Sequence, residues 1–432
     1  MEGMQGRRGR GEGTDVKPMH KPLTRLLAVT VVVSVLAVGT QSTTSSASRP
    51  LATGRHLNLA DLGRVARPHP ATHVTPAAGN VPDVAGKVWY ADTGDGPGGP
   101  GKTADAIDVF KGSKLIQSFS EDANQVFEYW GSNTLAHSKR LGCLVLTDSS
   151  GYIDSFSLNH DGTVAAEVSH LPDPYGGQPE SVLLNKAGTV AVINDPNSST
   201  FLGPYLQSYS IATGCALTFI GSSSGGAGNE FYINSALVGN DVVTGDANFN
   251  TIDTYSLSKS GKLSFLKSLP SEVATYVDGM ASYRSDVFSG SSNYYGPSNQ
   301  SVEGGVLSHS GSISFLSGSP TYDPSGDHST GAVATNGWLF VANNNYADNP
   351  SLPASIGSYT TSPSLAFSLD TVLPGSAGSQ ATPLALVGKT LFVDVDYIGS
   401  IEACSIGGSG ATNCNVYATL SDILGFSNGL TF

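Results

Sequence analysis

Charge is scarce in this chain. Only 13% of its residues are charged, and basic side chains are the rarer kind, 22 Lys and Arg against 35 Asp and Glu. The net charge is −13, and without residues 1–47, which hold six Lys/Arg and three Asp/Glu, the remainder carries −16. A body of that sign repels phosphate backbones and anionic lipid, which argues against nucleic acid as a partner. Cysteine is rare too, four residues in 432, and no two stand as Cys-x-x-Cys. The spacing of structural zinc sites and of dithiol redox centres is therefore missing, and neither a metal nor another cofactor is expected. No apolar stretch reaches the roughly 20 residues of a membrane-spanning helix.

The longest largely apolar stretch, residues 26–38, follows basic Lys21 and Arg25 and precedes a Thr/Ser-rich segment with small residues at Gly39 and Ala47. That is the layout of a signal peptide over residues 1–47, and it predicts a secreted or cell-envelope protein with no membrane span once the signal is removed. An uncleaved anchor is the alternative. Residues 48–84, rich in Pro, Ala and Thr, read as a linker. One domain is expected over residues 85–432.

What the chain has in plenty is glycine, 52 residues, together with Ser and Thr, the composition of short strands joined by tight turns. Within it one phrase recurs seven times: an aliphatic residue, usually an acidic or polar one, and two positions on an aromatic. The copies start at Ile107, Ile153, Leu206, Ile252, Val302, Ile356 and Ile401, 45 to 54 residues apart, and only the fifth and seventh lack the aromatic. That period fits a four-stranded propeller blade. The fold expected is an all-β, seven-bladed β-propeller of four-stranded antiparallel blades. The first repeat lacks an inner strand, and the final Ser427-Asn428-Gly429-Leu430-Thr431-Phe432 resembles the other inner-strand starts, so the carboxyl-terminal strand is expected to close the ring.

Cys404 and Cys414 are ten apart, as are Tyr209 and Phe219, and Tyr255 and Phe265, in other repeats. A disulfide is expected there in place of a cross-strand aromatic pair. Cys143 and Cys215, in neighbouring repeats, are a candidate second pair.

The run Ser181-Val182-Leu183-Leu184-Asn185-Lys186-Ala187-Gly188-Thr189-Val190-Ala191-Val192, followed by Asn194-Asp195, resembles the inner hairpin of lactonase-like and YVTN-type bacterial propellers. Residues 252–266 resemble their outer hairpin. The resemblance covers essentially all of residues 85–432 and implies the seven-bladed fold. The family includes enzymes that open sugar lactones and many exported propellers without known chemistry, and no catalytic residue carries over, so the catalytic residues are unknown.

Two motifs mislead. Gly96-Pro97-Gly98-Gly99-Pro100-Gly101-Lys102-Thr103 has phosphate-loop spacing, but two prolines remove N–H groups and a strand follows where a helix is needed. Gly221-Ser222-Ser223-Ser224-Gly225 has the form of a hydrolase nucleophile elbow, but it lies between two predicted strands.

A register of polar residues at the ends of second strands is more informative: Asp92, Asp148, Asp195, Asp246, Ser291 and Asn343, with Asp394 and Asp396 in the last repeat. In a propeller these ends and the inter-blade links share one face, so Glu180, Glu230, Asp278 and His328 join it. As turn caps these residues are structural; as a ring around one channel they would attract a cation or polar ligand. The loops after the second strands are short in repeats two, four and seven and long in the others, where Tyr205, Tyr294, Tyr295 and Tyr346 stand among Asn, Ser, Gly and Pro. That is the vocabulary of a recognition surface. The expectation is a monomeric exported recognition module whose long-loop face takes a carbohydrate, peptide or protein ligand. The alternative is a lactone hydrolase working at an acidic, metal-binding channel mouth.

Overall fold

The computed structural model describes residues 87–93, 106–120, 133–148, 151–196, 205–225, 230–272, 277–291, 301–322, 329–343, 353–377, 379, 381–395, 398–421 and 429–432. These residues build seven antiparallel sheets, each an inner, second, third and outer strand, arranged as the blades of a propeller. Blade 4 is representative: Tyr232–Val238, Asp241–Asp246, Thr251–Leu257 and Leu263–Pro270 follow one another in space as in sequence. Its second and third strands are buried on both faces because a blade packs on each side, whereas its outer strand alternates and is largely exposed.

Blade 1 takes its inner strand from the far end of the chain. Leu430 and Thr431 pair antiparallel with Ala91 and Tyr90 of Val88–Thr93, which closes the ring as expected and leaves no inner edge unpaired there.

Each seam between blades is a hydrophobic cluster. At the seam of blades 3 and 4, Val192, Tyr205 and Leu206 meet Tyr232, Val242 and Tyr255. The recurring aromatic has a local cause: in blades 1, 2, 3, 4 and 6 the third and outer strands slip register immediately before it, at Phe110, Phe156, Tyr209, Tyr255 and Tyr359. Such a bulge turns the side chain into the seam. It also sets the aromatic against its cross-strand partner, with ring centroids 5.4 Å apart for Tyr209 and Phe219 and 5.5 Å for Tyr255 and Phe265, both edge-to-face. In the fifth copy Gly305 takes the place of the aromatic, and Ile313 of the outer strand lies where a Cβ on it would go.

In blade 7 the pair is the disulfide Cys404–Cys414. Cys143–Cys215 is also formed, and it ties the second strand of blade 2 to the outer turn of blade 3 across their seam.

Candidate functional site

The inner strands of all seven blades line a central cavity of about 570 Å³, with Leu135, Val182, Leu237, Met280, Val333 and Leu430 representing six of the seven. Its described walls are aliphatic and hydroxyl-bearing except for the His137 imidazole and the Asn133 amide; no carboxylate is among the described lining residues. The acidic ring belongs to the layer above, where second strands end and links between blades begin, and its described members are buried.

Several of them turn back on the chain. The Asp92 carboxylate accepts from the Gly429 N–H at 2.6 Å and from the Thr134 hydroxyl, joining blade 1 to the closing strand and to the start of blade 2. Asp195 accepts from the Gln178 N–H at 3.0 Å and from Gln207 Nε2 at 3.2 Å. Asp246 accepts from the N–H groups of Phe231, Asn248 and Phe249 at 3.1, 2.9 and 3.3 Å. Burial nevertheless pushes its pKa up to about 7, with the N–H donors opposing that rise. Ser291 bonds Ser301, and Asn343 donates to Ser355 and Asp370. Asp148 and Asp394 are fully buried, as are the link residues Glu180 and Glu230 to within 1%.

Asp278 lies on the inner strand Val277–Tyr283, but its side chain, like Asp396, His328, Tyr294, Tyr295 and Tyr346, lies outside the described residues. Tyr205 departs from the rim position that loop composition suggested. It is 1% exposed and packs edge-to-face on Tyr232 in the seam cluster, because the third strand of blade 3 starts right after it and draws it inward. The loop lengths are as expected: segments 149–151, 247–250 and 396–399 are short, whereas 94–105, 195–205, 292–300 and 344–352 are long.

A second polar layer escaped the sequence reading, although the phrase itself contained it. The acid or amide at its second position is buried in the seam, facing the preceding blade: Asp108, Asp154, Gln207, Asp253, Glu303 and Glu402. Three of them take hold of the link that leaves the preceding blade. Asp108 accepts from the Ser421 N–H at 2.6 Å, Gln207 donates to Asp173, and Glu303 accepts from the Ser271 hydroxyl and the Glu272 N–H, both at 2.6 Å. These bonds latch three of the links to the blade that follows them.

Blade 4 holds a dense polar group. The Tyr232 hydroxyl lies 2.5 Å from Asp253 and 2.7 Å from the Tyr255 hydroxyl. A Cβ on Gly225 would meet Asp253, Tyr232 and Glu230 together, so these three converge on one glycine. Burial, then the neighbouring Glu230 charge, raises the Asp253 carboxyl despite the bonds from Ser268, Tyr232 and Thr251. Burial raises Tyr232 and Tyr255 far above the usual phenol range. Burial thus favours the protonated form of all three groups.

Fold and site together define a seven-bladed β-propeller with a polar, latched upper face. No protein-family model and no curated protein sequence matches the chain. Among solved structures it is similar to a protein from Lactobacillus plantarum, with a TM-score of 0.57 at 14% identity over 80% of this chain and 99% of that one. It is similar as well to the periplasmic gluconolactonase of Pseudomonas aeruginosa, with a TM-score of 0.51 at 13% identity over 79% and 99% of the two chains. A third likeness is to Chaetomium thermophilum Sqt1 bound to the N-terminus of the ribosomal protein L10, with a TM-score of 0.50 at 12% identity over 76% and 83%. At such identities the likeness establishes the fold.

Proposed function

We propose that this propeller is an exported recognition module that holds a carbohydrate, peptide or protein ligand on its long-loop face. The observation that carries the reading is the occupation of the ring carboxylates: Asp92, Asp195 and Asp246 each accept from backbone N–H groups of links or turns. A face braced in this way serves as a rigid platform for loops 94–105, 195–205, 292–300 and 344–352. Export is supported by the two disulfides and by the apolar stretch behind a basic segment. Carbohydrate and peptide arrays probed with the purified chain, and with variants whose segments 292–300 or 344–352 are replaced by short Gly-Ser turns, test it. Binding lost in the loop variants supports the reading; binding indifferent to both loop replacements overturns it.

The lactone-hydrolase reading keeps one favourable observation, Asp246, whose pKa of about 7 suits proton transfer near neutral pH. Turnover of a sugar lactone by the wild type, abolished in Asp246→Asn with the fold intact, would replace the recognition reading with this one.

A further inference from the structure

Blade 2 departs from its neighbours at the latch position. Opposite the phrase acid or amide, the outer strand carries Ser118 in blade 1, Ser222 in blade 3 and Ser268 in blade 4, but His170 in blade 2. His170 Nδ1 lies 2.8 Å from Asp154 Oδ1 and 3.4 Å from Glu167 Oε1, and the ligand atoms of the three residues all fall within 4.8 Å of one another. The imidazole is clamped flat on the Tyr152 ring, centroids 3.9 Å apart and planes 14° from parallel. Asp154 is fully buried beneath it, while the His170 side chain is 43% exposed. The adjoining loop 149–151 is among the short ones, so it adds little chain over the group.

We propose that Asp154, Glu167 and His170 form a divalent transition-metal site, zinc foremost, on the upper edge of blade 2. Ligand atoms 2.8 and 3.4 Å apart, set around an ion at about 2.1 Å, subtend angles of roughly 80° to 110°, the range of tetrahedral to octahedral coordination. One imidazole with two carboxylates suits zinc or manganese, whereas calcium and magnesium take oxygen ligands alone. The Tyr152 stack fixes the ring before metal arrives, and burial fixes Asp154, so only Glu167 has to adjust. Three protein ligands leave coordination positions open toward solvent. An ion there would give the upper face a point of attachment for an oxygen-bearing ligand, which goes beyond the recognition reading and does not depend on it.

The test is calorimetric titration of the tag-free, chelator-treated full chain with zinc chloride, repeated with manganese and calcium chlorides. One zinc per chain is expected, with calcium not competing. Even loss of an outer-sphere partner weakens metal sites roughly tenfold, so His170→Ala and Glu167→Gln should each weaken zinc by at least about that factor. Zinc should raise the melting temperature of the wild type and leave that of His170→Ala unchanged. Absence of zinc binding, or zinc binding equal in wild type and both variants, overturns the proposal. Unchanged melting temperatures of the metal-free variants separate loss of a ligand from loss of fold.

Discussion

Raising the pH should loosen the seam between blades 6 and 7, and Glu402 should be the cause. This residue holds the latch position of the last blade, is fully buried, and neither carboxylate oxygen has a hydrogen-bond partner among the described residues. In the segment leading from blade 6 to blade 7, the Ser379 N–H donates to the Ser376 carbonyl at 2.9 Å. Burial alone pushes the Glu402 carboxyl from 4.5 up to about 8. Between those values the folded chain holds a proton that the unfolded chain releases. Stability must therefore fall as pH rises from about 4.5 to about 8, and level off beyond. At about 1.4 kcal/mol per pH unit the full loss is about 5 kcal/mol. For a domain of this size that is on the order of 10 °C in melting temperature. Glutamine at 402 removes the titration while leaving a buried amide without partners, a pH-independent cost of about 1–3 kcal/mol. Denaturant unfolding of wild type and Glu402→Gln from pH 5 to pH 9 isolates the effect, since other titrating groups such as Asp246 cancel in the difference. The variant should gain on the wild type up to about pH 8 and then hold its gain. A difference that stays flat with pH would refute the reasoning.

Removing the Cys143–Cys215 bridge by paired serine substitution should cost about 4 kcal/mol, from the 72-residue span it closes, and the Cys404–Cys414 pair about 3 kcal/mol, both read by denaturant unfolding with and without reductant. Asp92→Ala strips partners from the Gly429 N–H and the Thr134 hydroxyl; a loss of about 2–4 kcal/mol is expected, with faster amide exchange in residues 429–431 but not in blade 4. Tyr232→Phe removes the hydroxyl shared by Asp253 and Tyr255 and should cost about 1–3 kcal/mol by thermal unfolding, leaving the strands of blade 4 in place by circular dichroism.

The blade count and the Cys404–Cys414 bridge were legible because each rests on spacing along the chain, and the ring closure because the terminal residues resemble the inner strand that the first repeat lacks. A period near 50 residues names the blade, and a ten-residue interval names a cross-strand pair regardless of which side chains fill it. The orientation of the ring carboxylates was not legible. Asp92 meets Gly429 across 337 residues, and nothing local says whether such a group faces a channel or a link. Tyr205 looked like a loop aromatic because it stands in loop company, yet its neighbour Leu206 begins a strand that draws it under. His170 lies in an alternating outer strand, where its significance depends on sitting opposite Asp154 rather than on any motif of its own. The latch acids were in plain view within the phrase, but a polar residue at a regular interval in a strand reads as a solvent-facing position until both faces of that strand prove to be buried.

The latch also redraws the boundary of the repeating unit. A sheet cut out as four strands carries an acid or amide whose partner belongs to the sheet before it, and a link whose partner belongs to the sheet after it, as with Gln207 and Asp173. The self-sufficient module therefore runs from one outer strand, through the link and the next inner and second strands, to the end of the next third strand. Anyone inserting or transplanting a blade should cut within the third-to-outer-strand turns, so that a link travels with the acid or amide that holds it.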